Sequence, residues 1–262
     1  MRPLADLGRE EARGLTGLLF DLDDTVLTHG VLEREPYDAL WALRAAGMKL
    51  VAVTGRPSGW AEVLVRQWPI DGAVTENGAV FVVREGRGVR VVLDGTPAEV
   101  AERRARLDAL VSEVRAALPA IELADDVHGR RSDVAWDIGE RAEVPAPDVA
   151  ELARLVVAAG ARTTRSSVHL HASFERDDKA SGATRFLREA FGEDPGRALA
   201  RWGFAGDSSN DAACFAAFRT TFGVANVRLF VPKLSVPPRF VARAERGAGF
   251  AEIARTLIAL RG

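Results

Sequence analysis

The short apolar run from Leu15 to Phe20 ends directly in Asp21-Leu22-Asp23-Asp24-Thr25, and this junction limits the fold more than any other feature of the chain. A run so short, stopped by carboxylates, reads as a buried strand delivering acidic groups to the edge of a sheet. Tyr37, Leu40 and Trp41 follow at helical spacing, with Pro36 suited to the first turn and Gly47 to the position past the end. Lys49 to Val53 is then a second buried strand, and a helix from Trp60 to Trp68 leads to a third at Ala73 to Thr75. Strands alternating with helices favour a parallel sheet.

From about Ala79 the texture changes. Val80 to Val83 and Val89 to Leu93 flank Glu85-Gly86-Arg87-Gly88, a hairpin pattern that belongs to antiparallel sheets. A charged amphipathic helix from Pro97 to Leu118 follows, then alternating Val134, Trp136 and Ile138, a helix around Asp148 to Ala159, and alternating Val168, Leu170 and Ala172. After Asp178 the first texture returns, with a helix ending near Phe191, a strand at Trp202 to Ala205, a helix to Phe218 and a strand near Phe222 to Ala225. The expected organisation is an α/β core from residues 1–79 and 175–262, with residues 80–174 as an inserted α+β module.

Four polar segments lie just past a strand or at a helix start. In Asp21-Leu22-Asp23 an extended exit points both carboxylates the same way, which suits one to attack and the other to exchange a proton; an Asp-rich turn is the plainer alternative. Thr54-Gly55-Arg56 offers a hydroxyl and amides to phosphate oxygens. Lys179 stands at a helix start, where the macrodipole disfavours a cation unless an anion is near. Gly206-Asp207-Ser208-Ser209-Asn210-Asp211 carries acidic oxygens suited to a hard cation.

These segments, in this order, resemble the motifs of the haloacid dehalogenase superfamily of phosphohydrolases. Glu76-Asn77-Gly78-Ala79 resembles the Asn-Gly-Ala segment of its Cof-like branch, subfamily IIB, related to sucrose-, trehalose- and mannosyl-3-phosphoglycerate phosphatases. The resemblance covers roughly residues 15–80 and 175–262 and implies a Rossmann-like core with a cap of type C2B. It implies Asp21 as nucleophile, Asp23 as general acid/base, and Thr54, Gly55, Lys179 and Asn210 as phosphate ligands. Asp21, the Asp23 carbonyl, Asp207 and Asp211 would hold Mg2+. Asp24 departs from the pattern, standing where glycine is frequent, and so does Lys179-Ala180-Ser181-Gly182, where Lys-Gly is usual.

Substrate contacts are expected from Arg56, Asn77, Arg165, His169 and His171, since His169, His171 and Ser173 alternate with apolar residues and make one strand face polar. Arg130, Arg131 and Arg165 are candidates for a second anionic group, a solvated surface being the plainer reading of each, and His29 is a candidate for a loop contact. The implied activity is hydrolysis of a phosphate monoester of a sugar or small metabolite. A phosphomutase using the same aspartyl chemistry and a non-catalytic, receiver-like protein are the alternatives.

The charges are balanced, 35 basic against 37 acidic residues, and the arginines are scattered among acids, so no nucleic-acid partner is expected. Arg154 and similar charges interrupt the longest apolar runs, so no membrane span is expected, and cytoplasm is the default location. Cys214, the single cysteine, reads as a buried thiol in an Ala/Phe-rich helix.

Overall fold

The computed structural model describes residues 1–165 and 168–262. In chain order the strands are β1 (Arg2–Pro3), β2 (Gly17–Phe20), β3 (Lys49–Val53), β4 (Gly72–Thr75), β5 (Val80–Glu85), β6 (Gly88–Leu93), β7 (Asp133–Asp137), β8 (Arg162–Arg165), β9 (His169–Ser173), β10 (Trp202–Gly206), β11 (Thr220–Gly223) and β12 (Phe240–Val241). The α-helices are α1 (Arg9–Gly14), α2 (Arg34–Ala45), α3 (Ser58–Gln67), α4 (Pro97–Ala117), α5 (Ala146–Ala158), α6 (Lys179–Phe191), α7 (Pro195–Arg201), α8 (Ala212–Ala217) and α9 (Arg246–Arg261). Among the described residues, no helix is long and apolar enough to cross a membrane.

The large sheet runs in the order β1-β12-β11-β10-β2-β3-β4-β5-β6, parallel from β1 through β4. Its central strands are apolar on both faces because helices cover both. Leu18, Phe20, Leu50 and Ala52 pack with Leu40 and Leu43 of α2, Val65 of α3 and Phe250 and Leu257 of α9. Leu19, Val51 and Val53 pack on the other side with Phe186 and Leu187 of α6, Ala198 of α7 and Phe215 of α8.

From β2 the chain proceeds to β3 on one side, whereas β10 and β11 lie on the other. The boundary between β2 and β10 is therefore a topological switch point, where an open α/β sheet leaves a crevice beyond its carboxyl ends. Asp21 directly follows β2 and Asp207 directly follows β10, so both open into that crevice.

The hairpin corrects the expected boundary at residue 80. β5 pairs antiparallel with β4, and β6 with β5, so residues 80–93 extend the large sheet rather than begin the insert. The turn fits the pattern read from Gly86, which has φ +57° and follows Glu85, itself paired with Gly88.

The segment beyond Leu93 builds a separate sheet in the order β7-β9-β8, covered on one face by α4 and α5. Thr96 caps α4 reciprocally with Glu99. Leu107, Leu110 and Val114, spaced by three and four residues, bury the helix against Val134, Trp136, Leu170 and Ala172. Pairing fixes the opposite face: Asp137 faces His169, Ala135 faces His171, Thr164 faces His171, and Asp133 and Arg162 face Ser173. That polar face lies over the crevice.

Candidate active site

Asp21, Asp207 and Asp211 converge at the carboxyl edge of β2 and β10, all buried, with oxygens within 4.8 Å of one another. Lys179 reaches them from the first turn of α6. Its Nζ donates to Asp21 Oδ1 at 2.9 Å and to Asp211 Oδ1 at 2.8 Å. The anions that a cation at a helix start requires are thus both present, and Asp178 caps the helix through the amides of Ala180 and Ser181.

Burial, opposed by Lys179 and reinforced by Asp211 and Asp23, pushes the Asp21 carboxyl up to about 7. Burial with Asp211 and Asp21 pushes Asp207 well above the usual carboxylate range. Lys179 goes the other way from what burial alone would do, because the two carboxylates hold its ammonium above the usual lysine range. Three carboxylates against one ammonium leave two negative charges in a buried site when all are ionised. An oxygen-lined site with that excess charge fits a hard divalent cation.

The carboxylates differ in how they are held. Asp211 Oδ2 accepts from the amides of Asp207 and Ser208 while its Oδ1 takes Lys179, so this residue braces the loop and the lysine. Asp207 accepts from Thr25 Oγ1 and from Asn226 Nδ2 at 3.0 Å. Asn226 also donates to the Asp24 carbonyl, and Arg246 Nε to Asp24 Oδ1. None of Thr25, Asn226 and Arg246 was expected; a polar residue close after β11 is the same signal that marked Asp21 and Asp207. Asp24 has φ +54°, which accounts for the departure noted there: glycine takes this left-handed conformation without cost, and aspartate tolerates it.

The second departure also has a geometric reason. Gly78 has φ +113°, and a Cβ there would lie 2.1 Å from the Asp178 carbonyl oxygen. A Cβ on Gly182 would meet the Gly78 carbonyl oxygen at 2.3 Å. The close approach of the residue 76–78 turn to α6 needs glycine at position 182, one helical turn beyond Lys179.

Asp23 does not share the surroundings of Asp21. Its side chain is 41% exposed and is held by Arg56, whose Nε and Nη2 reach it at 2.8–3.1 Å. Thr54 is buried and its Oγ1 accepts from the Arg56 amide. Gly55 keeps its Cα beside the Asn77 side chain, where a Cβ would come within 3.1 Å of Asn77 Oδ1. Asn210 Oδ1 accepts from Ser208 Oγ. Asn77, Lys179 and Asn210 line, with Asp133, Thr164 and His171 of the insert, a cavity of about 60 Å³ between the two sheets. A second cavity of about 300 Å³ opens beside Arg56, lined by His29, Trp60, Asp125, Asp126 and Glu140.

The candidates on the insert are distributed unevenly. His171 Nδ1 stands 3.0 Å from Asp133 Oδ2, and His169 Nε2 stands 2.8 Å from Glu140 Oε2. Burial and the neighbouring His171 hold the His169 imidazole below the usual histidine range. Arg165 is a correction: it pairs with Leu170, on the face turned away from the crevice, whereas Arg162 and Thr164 share the facing side. Arg130 is a second correction, because its guanidinium is buried between Asp126 and Asp133 and is not free for a second anion.

Residues 18–91 match the family described as haloacid dehalogenase-like hydrolase. No curated protein matches the chain. Among solved structures, the chain is similar to a Thermoplasma acidophilum protein at 14% identity, TM-score 0.73, covering 93% of this chain and 98% of that one. It is similar to the sucrose-phosphatase from Synechocystis sp. PCC6803, solved with sucrose and phosphate, at 19% identity and TM-score 0.64, covering 93% and 98%. The chain is also similar to a Bacteroides thetaiotaomicron phosphatase of the haloalkanoate (HAD) enzyme superfamily, at 17% identity and TM-score 0.62, over 94% of this chain and 96% of that one.

Proposed function

We propose that this chain, whose residues 18–91 match the haloacid dehalogenase-like hydrolase family, is a Mg2+-dependent phosphatase acting on a phosphate monoester of a sugar or similar small metabolite through a phosphoryl group carried on Asp21. The observation that carries this reading is the buried Asp21–Lys179–Asp211 triad with Asp207 beside it at the switch point.

Phosphate monoesters resist water, and the dianion repels an attacking carboxylate. Lys179 would neutralise part of that charge, and Thr54 with the Gly55 amide would hold phosphoryl oxygens in line with Asp21. A divalent ion bound by Asp21, Asp207 and the Asp23 carbonyl would supply the remaining neutralisation. Asp211 would keep Lys179 aimed. Asp23 would protonate the departing alcohol and then take the proton of the attacking water. The segment beyond Leu93 would act as a cap, its polar face of Asp133, Thr164 and His171 meeting the alcohol portion. A sugar is favoured because this face offers hydroxyl-bonding groups while Arg130 is occupied.

The same occupancy disfavours a mutase, which needs a second phosphate site on the cap. The test is phosphate release from a sugar-phosphate panel with and without Mg2+, for the native protein and Asp21→Asn. Release that needs the metal and is lost in the variant is expected; undiminished release by the variant would sink the reading.

A further inference from the structure

His171 stands on β9, the central strand of the insert's sheet, opposite Ala135 of β7 and Thr164 of β8, and is 7% exposed. Its Nδ1 is committed to Asp133 Oδ2 at 3.0 Å. Burial, outweighed by Arg130 and His171, leaves the Asp133 carboxyl below the usual carboxylate range, so that oxygen accepts and Nδ1 carries the proton. Arg130 Nη1, 3.5 Å from the same ring nitrogen, already donates to both Asp133 oxygens and to the Gly55 carbonyl. A neutral ring that gives Nδ1–H to a carboxylate presents Nε2 as an acceptor. Among the described residues nothing donates to Nε2. A buried acceptor without a protein partner is uncommon and points to a ligand, and His171 lines the cavity that also contains Lys179.

The charges around this cavity decide what Nε2 can meet. Glu175, Asp177 and Asp178 line it beside Asp133. Of its cations, Lys179 faces Asp21 and Asp211 at the phosphoryl end, and Arg162 Nη1 is taken by the carbonyls of Arg176 and Asp177 at 2.5 and 2.7 Å. A carboxylate or a second phosphate would meet acceptors where it needs donors, whereas a hydroxyl brings the proton that Nε2 lacks. Asn77 Nδ2 donates to Thr164 Oγ1 at 3.4 Å, which ties the core turn to the strand beside His171. We propose, resting on the phosphatase reading, that His171 determines specificity by accepting through Nε2 a hydrogen bond from a hydroxyl of the leaving alcohol, and that Asp133 is the positioning residue that fixes the ring for it. The substrate class is then a sugar or polyol phosphate with a free hydroxyl, and not the phosphate ester of a carboxylic acid. Asp133, 1% exposed and with both oxygens occupied by Arg130 and His171, meets the alcohol only through the ring.

The test compares kcat/KM, with Mg2+ present, for the fastest of the 6-phosphates of glucose, mannose and fructose and for propyl phosphate, which has the ester and no hydroxyl. Native protein, H171A, D133N and H171A/D133N are measured, with thermal unfolding as the check on folding. H171A should lower the sugar-to-propyl ratio about tenfold or more. D133N should lower it too, yet change it by less than about twofold once His171 is gone. Nitrogen-15 spectra of labelled histidine at pH 8 should show the native His171 ring protonated at Nδ1 alone, and D133N should move that proton to Nε2. An unchanged ratio in H171A, an equal drop from D133N in both backgrounds, or a native ring with a proton on Nε2 overturns the assignment. If D133N fails to fold, the native spectrum and the H171A ratio decide. Phosphate release from none of these esters, or full turnover by D21N, would instead remove the phosphatase reading beneath it.

Discussion

At the scale of single residues, the site is an electrostatic compromise struck around Lys179. Among the described residues its ammonium is the one cation touching Asp21 and Asp211, so Lys179→Met should abolish turnover and lower the unfolding free energy by about 3–5 kcal/mol at pH 8. At pH 5 the cost should be smaller, because Asp21, raised to about 7, then holds a proton and needs no partner. Chemical denaturation at the two pH values checks both statements. The same shift fixes the pH dependence of the metal-free native protein. A carboxyl whose folded value lies above its ordinary 3.8 binds more protons when folded, so stability from Asp21 is present below about pH 4 and is lost as pH rises toward 7. A divalent ion removes that penalty, and Mg2+ should therefore raise the unfolding midpoint more at pH 8 than at pH 5; equal rises would contradict it. Asp21, Lys179 and Asp207 were legible in the sequence because each abuts an apolar run or a helix start. Arg165 misled because one strand position decides which face a side chain takes, and Val168 to Ala172 gives no register for the neighbouring β8. Asn226 and Arg246 went unnoticed since their partners, Asp24 and Asp207, are brought near only by the fold.

At the scale of elements, the contact of α6 with the turn before β5 decides where Lys179 stands. Gly182→Ala should add about 1 kcal/mol of helix propensity, yet its methyl would enter the Gly78 carbonyl. Overpacking of that kind costs about 1–3 kcal/mol, so the net change should be destabilising, with reduced turnover as α6 shifts; urea unfolding decides the sign. Most core strands and helices were legible from buried runs and helical spacing. β8 was not, because Arg162-Thr163-Thr164-Arg165 lies largely exposed at a sheet edge and has no apolar alternation. α7 begins with Pro195-Gly196, a pair that reads as a turn, and β1 and β12 are too short to carry a period. The hairpin was found but its partner was not, since alternation gives a strand's faces and says nothing of which sheet it joins.

At the scale of the molecule, Glu76 joins the two modules. Its carboxylate is buried and accepts from the amides of Ser58 in the core and of Arg131, Ser132 and Asp133 in the insert. Burial and Asp133 raise its carboxyl above the usual range while these amides oppose the rise. Glu76→Ala should leave those insert amides without an acceptor and loosen the seat of the cap; hydrogen exchange at residues 131–133 should quicken while β2 and β10 stay protected. The existence of an insert was legible as a change of texture, but its docking was not, because Glu76 and Ser132 are far apart in sequence and neither carries a motif for the other. The central claim is that Asp21 itself carries the phosphoryl group. Quenching the native protein during turnover of a sugar phosphate with Mg2+, reducing it with borohydride and mapping the peptides tests this directly. The account predicts Asp21 converted to the corresponding alcohol, homoserine, only when substrate and metal are both present; rapid turnover with Asp21 unmodified, or the same modification at another carboxylate, would contradict it.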